Sequence, residues 1–277
     1  MTKTALVTGA SAGIGEATVR QLLRDGYRVF AAARRLDRMK ALESAGATLI
    51  DLDLTEDASI VAAVARIKSE AGRLDVLVNN AGYGSYGALE DVPMDEARRQ
   101  VEVNLFGLAR LCQIVTPMMR AQQSGTILNV SSIGGKFGEP FGSWYHATKF
   151  AVEGLSDCLR MELKPFGIRV VVIEPGAIKT EWAGIAREGL VERSGKTAYS
   201  PWARRHAAML GNADAMSFAS PPEVVANTIA KAAAARRPRT RYATGGGAKL
   251  FMFLRAVLSD RMLDRLMWRV SQSGKPG

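Results

Sequence analysis

Tyr145 and Lys149 stand four residues apart in Tyr145-His146-Ala147-Thr148-Lys149. The surrounding stretch has helical periodicity, so phenol and amine share one face. A phenol titrates near pH ~10 and is a poor acid or base at neutral pH unless a neighbouring cation favours its ionised form. Lys149 brings that cation. Alone, such a pair is more commonly a packed ring beside a solvated amine, so the weight falls on what else the chain carries. Asn104, in Val103-Asn104-Leu105-Phe106-Gly107, is a polar residue inside an apolar helical stretch, where its amide must find a partner or cost stability. His146 and His206 do not form a cluster, which disfavours a metal centre and a zinc mechanism.

A second group of residues suits a phosphate. Thr8-Gly9-Ala10-Ser11-Ala12-Gly13-Ile14-Gly15 follows an apolar run and opens a helical stretch. In a strand-to-helix turn, glycines let backbone N–H groups and the helix N-terminus approach a pyrophosphate. The spacing is G-x-x-x-G-x-G rather than the commoner G-x-G-x-x-G. A tight turn would account for one glycine but poorly for three. At the end of the next apolar run, where an acid meets the ribose of NAD, the chain has Arg34 and Arg35 and no carboxylate. Guanidinium groups suit a 2′-phosphate through charge-assisted bonds, which predicts NADP(H) in preference to NAD(H). Arginines at a helix start are also ordinary surface charges.

Short β-branched runs alternate with helix-length amphipathic stretches, the βαβ rhythm of a parallel α/β sheet. The strands are read at 3–8, 28–33, 48–51, 75–79, 125–131, 168–173 and 240–243. Helices are expected at 16–24, 36–44, 58–71, 94–122 with a bend at Pro117, and 143–164. From 177 to 219 the rhythm breaks into a glycine-bearing segment too long for a structureless connector, read as a lid over a substrate. Its Trp182, Ile185, Leu190, Tyr199, Trp202, Met209, Leu210, Met216 and Phe218 are candidate pocket walls, and packing of the lid on the domain explains each equally well. Ser220 is a candidate cap for a helix over 224–235. Residues 248–277 read as one or two amphipathic basic helices with an apolar stripe through Leu250, Phe251, Leu254, Val257 and Leu258, continued by Met262, Leu263, Leu266, Met267 and Val270.

The chain has 277 residues, 47% of them apolar, enough for a large core. With no linker between its halves, a single domain with elaborations is expected over 1–247, the extension 248–277 following it. Cys112 and Cys158 are two thiols in a long chain, read as packing residues. No secretory leader or spanning segment is recognised, and the chain is expected to be cytoplasmic. The net charge of +10 is concentrated after Ala234, where ten Lys or Arg face Asp260 and Asp264. Without a nucleic-acid module, that tail is read as a solvated face rather than a nucleic-acid site.

Together the glycine loop, Asn79-Asn80-Ala81-Gly82, Asn104, Ser131-Ser132, Tyr145 with Lys149, and Pro175-Gly176 resemble the classical short-chain dehydrogenase/reductase family, in its order and spacing, from residue 3 to about 180. The resemblance implies a Rossmann-type doubly wound parallel sheet of about seven strands with helices on both faces. It implies that Gly9, Ser11, Gly13, Ile14 and Gly15 hold the cofactor, with Asp53 and Leu54 beside the adenine, Asn80, Ala81 and Gly82 on the adenosine side, and Pro175, Gly176, Ile178 and Thr180 near the nicotinamide. It selects Ser132, 13 residues before the tyrosine, as the hydroxyl that holds the substrate oxygen. Tyr145 would exchange the proton, Lys149 would lower its pKa and bind the ribose, and Asn104 would hold a water on the proton path. The activity implied is NADP(H)-dependent interconversion of a carbonyl and an alcohol. Weaker likeness of the C-terminal region to 17β-hydroxysteroid and retinol dehydrogenases suggests a steroid, retinoid or lipid-like substrate. A homodimer or homotetramer is expected, with the C-terminal helices a flap, a subunit contact or a peripheral membrane contact. The competing reading is a catalytically idle NADP(H)-binding regulator or redox sensor on the same fold.

Overall fold

The computed structural model of the chain describes residues 2–211 and 219–275. Strand β1 (Thr4–Thr8) is buried at every position, as a strand covered on both faces must be. The chain then winds through α1 (Gly13–Arg24), β2 (Arg28–Ala33), a 3₁₀ turn leading into α2 (Lys40–Ser44), β3 (Thr48–Asp51), α3 (Asp57–Ala71) and β4 (Val76–Asn79). The second half runs through α4 (Met94–Val101), α5 (Gly107–Ala121), β5 (Gly125–Val130), α6 (Ser143–Leu163) and β6 (Ile168–Pro175). Beyond it come α7 (Glu181–Ser194), α8 (Ser200–Gly211), α9 (Glu223–Ala234), β7 (Arg241–Thr244), α10 (Ala248–Val257) and α11 (Asp260–Ser271).

The seven strands are all parallel in the order β3-β2-β1-β4-β5-β6-β7. The Rossmann-type expectation is therefore met, with strand ends moved by a residue or two. One face of the sheet packs Val19 and Leu22 of α1 with Val225 and Ile229 of α9. The other packs Ile60 and Ile67 of α3, Leu111 and Val115 of α5, and Val152 of α6. Because the order reverses between β1 and β4, the loops after their carboxyl ends part and leave a crevice.

Four expectations need correction. The helix expected over 94–122 is broken by a π-helical turn at Glu102–Phe106. The cause is Asn104, whose amide bonds both backbone groups of Tyr83 across the turn. The α-helix continues through Pro117 to Ala121. Ser220 does not cap α9: its backbone carbonyl accepts from Lys179 N at 2.9 Å and its N–H donates to Ala177 O at 3.1 Å, so it ties the chain to the far side of the crevice. Cys158 is exposed rather than packed, whereas Cys112 is buried. In the C-terminal stripe, Leu250, Val257 and Met262 face outward. The segment read as a lid is built on two helices, α7 and α8, and its Met216 and Phe218 lie outside the described residues. Among the described residues no helix is long and apolar enough to cross a membrane.

Candidate active site

The loops after β1, β2, β4, β5 and β6 surround one continuous cavity of about 650 Å³. Every candidate site residue from the sequence lines it except Gly15 and Asn104. Those two support it from behind. A Cβ on Gly15 would stand 2.1 Å from the Gly9 carbonyl oxygen, and Gly9 itself has φ +66° with Ala81 Cα at 2.8 Å from the place of a Cβ. Only glycine permits this turn. Asn80 fixes it from the β4 side, donating from its amide to Thr8 O at 2.9 Å, while Thr8 Oγ1 accepts the N–H groups of Asn80 and Ala81 at 3.0 Å. The Asn80-Ala81-Gly82 turn therefore caps the sheet and lines the cavity together.

The crevice fits a dinucleotide on its own geometry. Helix α1 starts in the glycine loop with no side chain capping its N-terminus, which leaves its first N–H groups for an anion. Arg35 Nη2 donates to Ser11 Oγ at 3.2 Å, placing its guanidinium over the loop. Arg34 stands 3.8 Å from the Asp53 carboxylate. Asp53 is further held by the Thr55 N–H and hydroxyl at 3.0 and 2.9 Å. Across the crevice Thr180 caps α7, its hydroxyl accepting from Trp182 N at 3.4 Å. Glu181 beside it pairs with Arg38 and stands 4.0 Å from Arg35, so the first turn of α7 is tied to the arginine corner.

At the other end of the crevice the phenol of Tyr145 meets the Ser132 hydroxyl. Ser132 Oγ also accepts the Gly134 N–H at 3.0 Å, whereas Ser131 Oγ is buried without a partner. Both serines line the cavity, and Ser132 is the one whose hydroxyl stands beside the Tyr145 phenol. Burial pushes the Tyr145 phenol up to about 12, opposed by the Ser132 hydrogen bond. Burial likewise pulls the Lys149 amine down to about 8. Lys149 Nζ donates to Val130 O at 2.9 Å and lies 5.8 Å from the centre of the Tyr145 ring. Asn104 accepts from Tyr83 N at 3.1 Å and donates to Tyr83 O at 2.9 Å and Thr148 Oγ1 at 3.2 Å. Its satisfaction is thus local, yet it borders Lys149: a Cβ on Gly82 would lie 3.1 Å from Asn104 Oδ1 and 3.8 Å from Lys149 Nζ.

The rest of the cavity is largely apolar. Of the lid residues, Trp182, Ile185, Met209 and Leu210 line it. Leu190 and Tyr199 instead pack inside the lid, and Trp202 is exposed, 6.5 Å from the Trp268 ring. The C-terminal helices contribute Phe251, Met267 and Val270. Tyr86 and Glu139, two residues of this wall, were not anticipated. Glu139 carried a signal, being a carboxylate in the short loop between Ser132 and Tyr145, but nothing in its spacing showed where it would face. Tyr86 had none, since an aromatic between Ser85 and Gly87 reads as a loop residue.

The family described as short chain dehydrogenase matches residues 3–190. Among curated relatives, a 3-ketodihydrosphingosine reductase of Bacteroides thetaiotaomicron is 43% identical over 176 residues, 63% of this chain and 64% of that one. An NADPH-dependent 3-dehydrocapnine reductase of Ornithobacterium rhinotracheale is 34% identical over 275 residues, 96% of each chain. Among solved structures, a metagenomic short-chain oxidoreductase in complex with NADP matches with a TM-score of 0.68 and 28% identity, over 87% of this chain and 95% of that one.

Proposed function

This chain belongs to the short-chain dehydrogenase family, and from that premise we propose that it reduces a ketone on a hydrophobic, lipid-like molecule with NADPH, or oxidises the matching alcohol with NADP⁺. The observation that carries the reading is the continuity of the cavity: one end holds the glycine loop with Arg34 and Arg35, the middle holds Ser132, Tyr145 and Lys149, and the far end is apolar. Two relatives named for reducing 3-ketodihydrosphingosine and 3-dehydrocapnine, the second of them NADPH-dependent, favour a long-chain ketone over a steroid or retinoid.

The bound nicotinamide would supply or accept a hydride at the substrate carbon, and the remaining work falls to the side chains. Gly9, Gly13 and the first turn of α1 receive the pyrophosphate, and Arg34 with Arg35 neutralise the 2′-phosphate. Ser132 holds the substrate oxygen by a hydrogen bond that strengthens as charge grows there. Tyr145 gives that oxygen its proton. With the phenol near 12 and the amine near 8, both groups are protonated at neutral pH, the state that carbonyl reduction consumes. The Lys149 cation stabilises the phenolate left behind, and the gap beside Gly82, between Asn104 and Lys149, is where a proton would return. Exposed Phe106, Phe150 and Met161 on the outer faces of the α5 and α6 region support a homo-oligomer built through them.

The test is NADPH and NADH consumption at 340 nm against long-chain, steroid, retinoid and short aliphatic ketones. Turnover with NADPH that is fastest on long-chain ketones is the expected result. Tight NADPH binding without turnover on any of them would overturn it in favour of a binding role.

A further inference from the structure

Glu139 lines the apolar half of the cavity, on the loop between Ser132 and Tyr145. Its carboxylate accepts a hydrogen bond from the Tyr86 hydroxyl. The Tyr86 ring in turn lies 6.0 Å from the Tyr145 ring and 5.6 Å from the Trp182 ring, so the carboxylate stands one side chain away from the reacting phenol. Among the described residues no Lys or Arg is within 4 Å of it. The nearest basic nitrogen, His146 Nε2, is 3.8 Å away. That nitrogen already receives the Glu139 N–H at 3.2 Å, and Nδ1 of the same ring is committed to Gly134 O at 2.8 Å. His206, behind Tyr86, is buried with neither ring nitrogen bonded, and burial pulls its pKa down, away from a charged state.

Burial would push the Glu139 carboxyl up, but the His146 ring above all, with the Tyr86 hydroxyl adding to it, pulls it below the usual carboxylate range. The cavity therefore presents a carboxylate among Tyr86, Trp182, Met209 and Leu210 whose nearest basic ring, His146, is engaged through both nitrogens by backbone groups. A charge in such surroundings is costly unless a cation compensates it. The carboxylate also acts on the phenol: burial above all, with the Glu139 charge adding to it, raises Tyr145.

We propose that Glu139 anchors a protonated amine that the substrate carries close to its reacting carbonyl, which makes the preferred substrates long-chain amino ketones. This rests on the reductase reading above and deepens it. The ammonium satisfies the Glu139 carboxylate, sets which way the ketone faces between Ser132 and Tyr145, and screens the phenol from the carboxylate as it gives up its proton. A neutral ketone of equal length leaves the carboxylate with Tyr86 and His146 alone and gains only the burial of its chain.

The test compares three ketones with NADPH: a long-chain 2-amino-3-ketone, its N-acetyl derivative and the same ketone without the nitrogen. The native protein is expected to prefer the free amine in kcat/KM by about 30-fold or more, the scale set by leaving one member of a buried charge pair unpaired. In Glu139→Gln that ratio falls to near unity. Glu139→Asp, which keeps the charge, retains part of it and guards against a variant that merely fails to fold. Equal use of the three ketones by the native protein, or an unchanged ratio in Glu139→Gln, overturns the proposal and leaves the reductase reading standing. If none of the ketones is reduced, the reductase reading fails by itself. Calorimetric binding of dodecylamine against dodecanol to the NADP⁺-loaded protein then decides the anchor: tenfold tighter binding of the amine, lost in Glu139→Gln, upholds it and equal binding overturns it.

Discussion

Lys149 reaches past the Tyr145 ring, its Nζ 5.8 Å from the ring centre, to donate to the Val130 carbonyl at 2.9 Å. The cation is thus fixed by the end of β5 and not by the phenol, so removing the phenol hydroxyl leaves its position unchanged. Tyr145→Phe should reduce turnover by about 10²- to 10⁴-fold, the usual contribution of a positioned acid–base group. NADPH affinity, read by the fluorescence of the bound dinucleotide, should stay within a few-fold. Turnover at the native rate would mean that another group delivers the proton.

The arginine corner makes a separate prediction about cofactor choice. Arg35 is tied to Ser11 at 3.2 Å and Arg34 stands 3.8 Å from Asp53, both with more than half of the side chain exposed at the mouth of the crevice. The double variant Arg34→Ala/Arg35→Ala should lower kcat/KM for NADPH by about 10- to 100-fold, since hydrogen bonds to charged groups contribute roughly 1.5–3 kcal/mol. The value for NADH should move much less. A parallel loss with both cofactors would show that the arginines shape the loop and do not read the phosphate.

Residues brought together by local geometry were legible in the sequence as to where they stand. The glycine loop, the Tyr145/Lys149 spacing and the βαβ rhythm each depend on contacts a few residues apart or on a single strand-to-helix turn. What the sequence hid depends on chain segments that meet only in the fold. The π-helical turn at Asn104 arises from Tyr83, 21 positions earlier. The lid showed too little periodicity to be divided into α7 and α8, because its apolar residues serve two surfaces, Leu190 packing inward while Trp182 and Ile185 face the cavity. Glu139 gains its surroundings only from Tyr86, 53 positions earlier. Glu174 lies just past the strand read at 168–173 and is enclosed by residues of α6 and β7 that meet it only in the fold.

That enclosure predicts how stability depends on pH. Glu174 and Glu153 are buried side by side, with Lys136 Nζ 2.7 Å from Glu153 and 3.8 Å from Glu174, and Arg241 Nε 3.0 and 3.6 Å from the same two, Arg241 also holding Asp157. Burial first, and the Glu153 charge second, push Glu174 up to about 7 from 4.5. Between these values the native state holds a proton that the unfolded chain has released. The group's contribution is therefore complete below the unfolded value and is lost as pH rises through about 7. Glu174→Gln, neutral at every pH, should melt close to the native protein at pH 5 and several degrees above it at pH 8, roughly 3–6 °C for a chain of this size. Equal melting temperatures at pH 8 would place the shared proton elsewhere.

The last prediction concerns the C-terminal helices, read from sequence as a flap, a subunit contact or a membrane contact. Phe251 stacks on Phe137 at 5.7 Å, Leu263 and Met267 are buried against the same ring cluster, and Arg255 donates to Lys136 O at 3.2 Å. Phe251, Met267 and Val270 complete one wall of the cavity, while Leu250, Phe253 and Val257 face outward. A wall built this way touches the far end of a long substrate and never the carbonyl. Removing residues 248–277 would also bare Phe137 and cost stability, so Phe251→Ala and Val270→Ser are the sharper variants. Each should raise KM for a long-chain ketone by about 10-fold, the scale of one apolar side chain's burial, while a short ketone that ends before the wall keeps its KM and both keep their kcat. An unchanged KM for the long ketone would take the helices out of substrate binding. Their outward apolar residues would then be the place to look, by sedimentation for a second subunit and by flotation with anionic vesicles for a membrane surface.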